Sequence, residues 1–131
     1  MQNFNSSVWQ WFQDAIGKPT EAQQQAWPAI KEKKNTLISA PTGSGKTLSA
    51  FFSIIDDLIQ KGLEGSLEEK TYVVYVSPLK ALSNDIEKNL RLPIRGLKER
   101  LEVENQPAVH LSVGLRTGSE GAAVRRGQRR T

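Results

Sequence analysis

Residues 40–47 read Ala-Pro-Thr-Gly-Ser-Gly-Lys-Thr and sit between a short apolar run, residues 35–40, and a long helical stripe. Glycine adopts backbone conformations closed to other residues, so Gly43 and Gly45 let the chain curl until several amide N–H groups point at one place. A helix opening directly after such a turn adds its N-terminal partial positive charge. The segment therefore has the parts of a polyphosphate cradle. Backbone amides from Thr42, Gly43, Ser44 and Gly45 surround the anion, the Lys46 ammonium reaches the β- and γ-phosphates, and the Thr47 hydroxyl takes a magnesium position. Ala40 stands where the Gly-x-x-x-x-Gly-Lys-Ser/Thr pattern begins with glycine; the two glycines needed for the turn are kept.

The flanks fit a strand–loop–helix context. Leu48, Phe51, Phe52, Ile55, Leu58 and Ile59 recur at helical spacing from Ser44 onward, and Gly62 is expected to close that helix. Residues 35–40, residues 71–76 (Thr-Tyr-Val-Val-Tyr-Val) and the alternating Val109, Leu111 and Val113 read as three strands. Ahead of the loop, Ser7 can cap a short helix carrying Val8, Trp11, Phe12, Ala15 and Ile16, ended by Gly17 and Pro19. Thr20 with Gln23 three residues on has the form of a capping box for a second helix, which Pro28 should interrupt and which buries Trp27 and Ile30. After Ser77-Pro78, Leu82, Ile86 and Leu90 form one stripe up to Pro93; Ile94, Leu97 and Leu101 form the next. Strands alternating with helices predict an α/β fold with a parallel sheet flanked by helices.

Charge and composition narrow the setting. The 131-residue chain carries a net charge of +4 and no cysteine, which excludes disulfides and thiolate metal sites and fits a reducing compartment. Residues 1–70 hold seven Lys/Arg against eight Asp/Glu, and residues 71–131 hold eleven against six, so the positive charge lies in the second half, where it could meet a phosphate backbone or form a solvated surface. No signal-peptide pattern opens the chain and no apolar run approaches the ~20 residues of a membrane span. A cytoplasmic location is the expectation.

The motifs together resemble superfamily 2 DEAD/DEAH-type helicases, closest to the large helicase-related (Lhr) type. The resemblance rests on Pro19-Thr20-Glu21-Ala22-Gln23, Ala26-Trp27-Pro28, the loop at 40–47 and Ser77-Pro78-Leu79-Lys80-Ala81-Leu82. It covers nearly the whole chain but only the N-terminal part of the family's first motor domain. It implies a truncated RecA-like ATP-binding domain over residues 35–131, preceded by N-terminal helices over 1–34. Its implied cofactors are ATP and Mg2+. In the family, the glutamine matching Gln23 bonds the adenine edge, for which an amide has the right donor and acceptor; the capping role read above can coexist with this one. Ser77, Pro78, Leu79 and Lys80 match the turn that holds a nucleic-acid backbone, a contact that positions a strand without reading its sequence. Arg116, Thr117 and Gly118 resemble a further such turn, with Ser119 where the Lhr-type pattern has aspartate.

Other residues the family uses are absent from this sequence. No Asp-Glu-x-His follows an apolar strand; Asp56-Asp57 falls within a helix and Glu68-Glu69 in a polar loop. The arginine finger of a second motor domain is likewise missing, so no catalytic residue is assigned and the chain is expected to bind ATP without turning it over. Its expected partners are DNA or RNA, single-stranded, and either the remainder of the motor or another copy associating through an exposed sheet edge. Two alternatives stay open: another phosphate-loop protein, such as a small kinase or regulator, and a nucleic-acid-binding module indifferent to nucleotide.

Overall fold

The computed structural model describes residues 3–39, 46–76 and 87–114, with the backbone alone for Lys46, Thr47, Glu87 and Lys88. Four α-helices are present among them: α1 (Ser6–Ala15), α2 (Glu21–Lys31), α3 (Lys46–Leu63) and α4 (Leu92–Val103), the last preceded by a π-helical turn, Glu87–Arg91.

Each helix start has a local cause. The Asn5 side chain, one residue ahead of α1, accepts from the backbone N–H groups of Ser7 and Val8. The cap is thus Asn5 rather than Ser7. The Thr20–Gln23 capping box is present as read, with the Thr20 amide donating to Gln23 Oε1 at 2.9 Å and the Gln23 amide donating to Thr20 Oγ1 at 3.2 Å. Pro28 does not interrupt α2, which runs on to Lys31. Its missing N–H removes one bond to the preceding turn, but burial of Trp27 and the ion pair made by Lys31 hold the last turn in place.

Gly62 does not close α3 either. The helix continues to Leu63 and ends on a Schellman motif whose glycine is Gly65, three residues after the one expected, at φ +75°, its amide bonded to Gly62 O at 3.1 Å and the Ser66 amide to Lys61 O at 3.0 Å. Gly62 serves close approach instead: a Cβ there would lie 2.5 Å from Val109 Cγ1. Gly62→Ala is therefore expected to destabilise the chain by about 1–3 kcal/mol through overpacking, against the roughly 1 kcal/mol that alanine gains over glycine in a helix. Urea unfolding followed by circular dichroism measures it, and a stabilised variant would refute the tight Gly62–Val109 contact.

The core is an aromatic cluster where α1, α2 and α3 meet. Phe4, Trp9, Phe12, Trp27 and Phe52 stack and tilt against one another with ring centroids 4.8–6.0 Å apart. Leu48, Phe51, Ile55 and Ile59 extend it along α3, as the helical spacing predicts, and Leu97 and Leu101 join it from α4. Arg100 ties α4 to α1 at the surface through Asp14, at 2.8 Å; an exposed pair of this kind contributes about 0–1 kcal/mol.

The α/β expectation is not met. Among the described residues the regular elements are helical, with no strand, and a parallel sheet is not seen. Residues 35–39, 71–76 and 109–113, read as strands, have no ladder partner among the described residues, and Leu37, Val74 and Val76 are 93%, 77% and 88% exposed. A strand, unlike a helix, has its hydrogen-bond partners elsewhere in the chain, so β-branched residues mark a preference that only a neighbouring strand can satisfy. The exposed sheet edge expected to drive self-association is accordingly absent from the described residues.

Candidate functional site

The phosphate-loop reading meets the described structure at the start of α3. This helix begins at Lys46 and has no acidic residue in its first turn. The first-turn amides of any helix lack intrahelical partners and carry partial positive charge, and here no local carboxylate competes for them. Thr42, Gly43, Ser44 and Gly45 lie outside the described residues, as do the side chains of Lys46 and Thr47. Ser77, Pro78, Leu79 and Lys80, and Arg116, Thr117 and Gly118, also lie outside them.

Gln23 is described, and it is 3% exposed. Its side-chain oxygen is engaged by the Thr20 amide in the capping box. The helix that carries it runs parallel to α3. Trp27 packs on Phe52 at 5.5 Å between ring centroids, and one turn further along both helices Lys31 pairs with Asp56. By the helical repeat, the same offset carried one turn back from Trp27 and Phe52 falls at Gln23 and Leu48, in the first turn of α3. Gln23, read as the adenine contact, and the helix that opens at Lys46 thus share one end of the same helix pair.

A second polar feature was not anticipated from sequence. Ser49, Ser53 and Asp56 are fully buried on one stripe of α3. Asp56 Oδ1 accepts from the Asn5 amide at 2.9 Å, while Oδ2 accepts from Gln60 Nε2 at 2.6 Å and pairs with Lys31. Lys31 also reaches Asp57 Oδ1 at 2.7 Å and lies 4.6 Å from the centroid of the Phe4 ring. Burial pushes the Asp56 carboxyl above its ordinary range; Lys31, the Asn5 amide and Gln60 act in the opposite direction. The signal available in sequence was an acid on the core side of an apolar stripe, one turn after Phe52. Its partner, 25 residues earlier, could not be read from local pattern.

A groove of about 310 Å³ lies between α4 and the segment after it, lined by Arg91, Ile94, Arg95, Lys98, Leu111, Ser112 and Val113. Lys98 Nζ donates to Leu111 O at 2.8 Å, and burial lowers the pKa of that ammonium. Arg91 likewise donates to a carbonyl of the chain itself, Val113 O, at 3.4 Å.

No helix among the described residues is long and apolar enough to cross a membrane. A family model described as DEAD/DEAH box helicase matches residues 20–115. An Lhr helicase/probable uracil glycosylase of Mycolicibacterium smegmatis is 47% identical over 123 residues, covering 94% of this chain and 8% of that protein. The ATP-dependent helicase Lhr-Core protein 2 of Thermococcus barophilus is 47% identical over 110 residues, covering 84% of this chain and 13% of that protein. Among solved structures, that of Mycobacterium smegmatis helicase Lhr bound to ssDNA and AMP-PNP superposes with a TM-score of 0.80 at 45% identity, covering 95% of this chain and 15% of that chain. The chain thus spans 8% to 15% of the length of these relatives. With the family model matching residues 20–115, the chain belongs to the DEAD/DEAH box helicases, and these relatives are of the Lhr type.

Proposed function

We propose that this chain is the ATP-binding opening portion of an Lhr-type helicase motor, in which residues 1–34 supply the adenine side and residues 35–131 the phosphate and nucleic-acid side. The observation that supports the proposal is the repeated offset of α2 against α3, Trp27 on Phe52 and Lys31 on Asp56, which, carried one turn back, pairs Gln23 with the first turn of the helix that Lys46 opens. A nucleotide lying across that end would meet an amide at its base and helix N–H groups at its phosphates. Lys46 would neutralise β- and γ-phosphate charge, and Thr47 would hold magnesium together with the nucleotide's own oxygens. Among the described residues no group of three His, Cys, Asp or Glu could hold a metal ion without such help.

The relative solved with ssDNA and AMP-PNP supports a nucleic-acid partner for the family. In this chain Ser77, Pro78, Leu79 and Lys80, with Arg116, Thr117 and Gly118, would carry backbone contacts to a single strand, in contacts that weaken as salt rises. With no Asp-Glu-x-His in the sequence, the proposed activity of this chain is binding rather than turnover of ATP.

The test is titration with a fluorescent ATP analogue in the presence of magnesium. Lys46→Ala removes a charge-assisted contact to phosphate and should weaken binding on the order of 100-fold. Unchanged affinity in this variant would refute the phosphate-loop assignment.

A further inference from the structure

The buried ion pair between Lys31 and Asp56 lies at the far end of the helix pair from the proposed nucleotide, yet it bears on how that nucleotide is read. The aromatic packing between α2 and α3 is tolerant of sliding, because rings accept a range of offsets and tilts. A buried ion pair is not. Asp56 is fully buried and the Lys31 side chain only 9% exposed, so moving α2 by one turn, about 5.4 Å, would strand both charges in a low-dielectric interior. Two further bonds fix the Asp56 end of the contact, from the Asn5 amide and from Gln60 Nε2, while Asp57 accepts from the Lys31 ammonium at the other end. Gln60 Nε2 also donates to Asn3 O at 3.3 Å, so the chain leading into α1 is fastened at the same point.

Gln23 lies two turns before Lys31 on α2, about 12 Å along the axis, and the same interval on α3 leads from Asp56 back to Leu48. The helices are parallel, so whatever sets the axial register at Lys31 sets the height of Gln23 above the first turn of α3. We propose that Lys31 and Asp56 are positioning residues for base recognition. They hold the adenine-contacting amide at a fixed distance from the phosphate site without touching the nucleotide. The inference rests on the reading of Gln23 and the α3 N-terminus given under Proposed function. Its expected signature is selective: loosening the register should weaken recognition of the base and leave recognition of the phosphates intact.

The experiment measures, for the full chain, the affinities of a fluorescent ATP analogue and of competing inorganic tripolyphosphate, both with magnesium. Lys31→Met is expected to weaken ATP roughly tenfold, the scale of one misplaced hydrogen bond, with tripolyphosphate unchanged. Lys31→Arg keeps a cation within reach of both carboxylates and should restore ATP affinity to within about threefold. Should Lys31→Met fail to fold, Asp56→Asn, which keeps the side chain's size but removes the anion that holds Lys31, should move the ATP-to-tripolyphosphate ratio in the same direction by about threefold. Equal weakening of both ligands, or an unchanged ratio in the folded variants, overturns the positioning role. Gln23→Ala separates this result from failure of the underlying site. If that variant keeps the wild-type preference for ATP over tripolyphosphate, the adenine assignment itself falls and the positioning role with it.

Discussion

Replacing Trp27 with alanine is expected to destabilise the chain by about 3–5 kcal/mol, the range for removing a large aromatic from a packed interior. Trp27 is fully buried at the centre of the cluster, with Phe4, Trp9, Phe12 and Phe52 all within 6.0 Å between ring centroids. Its removal opens a cavity facing α1, α2 and α3 together, so no single helix can move to fill it. A domain of this size has about 5–15 kcal/mol of total stability, and losing 3–5 of them should shift the urea midpoint strongly or leave the variant largely unfolded. Trp27→Phe provides the contrast. The Trp27 Nε1 is buried without a hydrogen-bond partner among the described residues, and an orphan donor of that kind is a standing penalty. Phenylalanine removes the orphan while keeping most of the ring, so its cost should stay below about 1.5 kcal/mol. Far-UV circular dichroism during urea titration is the readout, because one fluorophore is lost in both variants. Alanine and phenylalanine variants of equal stability would mean that Trp27 is not the keystone of the cluster.

Trp27 also shows how far local pattern reaches. Its burial, the Thr20–Gln23 capping box and the apolar stripe of α3 follow from helical periodicity and cap chemistry, whose partners lie within four residues. The same holds for Leu97 and Leu101 on α4, both buried. Readings that depended on distant partners fared differently. Residues 35–40, 71–76 and 109–113 have strand-like composition, but composition supplies no ladder, and the described parts of these segments are irregular. Gly62 looked like a helix stop because glycine so often is one; its reason for being glycine is Val109, 47 positions later, and Gly65 ends the helix instead. Of the candidate site, the capping geometry of Gln23 and the apolar stripe of the helix that begins at Lys46 were legible locally. The Lys31–Asp56 pair across the helix interface was not, because its two members stand 25 residues apart.

Asp56→Ala is expected to destabilise the chain by about 3–5 kcal/mol, the range for breaking a buried pair by removing one partner. The Asn5 amide and Gln60 Nε2 would lose their acceptor, and Lys31, with a 9% exposed side chain, would keep only Asp57. The loss does not mean that the pair is a strong net stabiliser. Burial raises the Asp56 pKa despite Lys31, the Asn5 amide and Gln60, so taking this charge out of water outweighs what its partners return. The linkage has a definite sign. A carboxyl whose folded pKa is raised holds its proton more tightly in the folded state, so its proton-linked contribution is full below the ordinary carboxylate value and is lost as pH rises through the folded value. Asp14 behaves oppositely: Arg100 first and Gln10 second lower its pKa, so its contribution is present above the ordinary value and lost as pH falls. Subtracting the pH profile of Asp56→Asn from that of wild type isolates the first slope, which should be negative with rising pH. The double variant Lys31→Met/Asp56→Leu, which replaces both charges with apolar side chains, should lie within about 2 kcal/mol of wild type although the single alanine does not. Asp56→Ala within 1 kcal/mol of wild type, or a double variant as unstable as the single one, would show that the charges do not act as a desolvated pair. A near-neutral double variant would instead mean that the pair adds little net stability, which is the expectation if its contribution is to the register of α2 on α3.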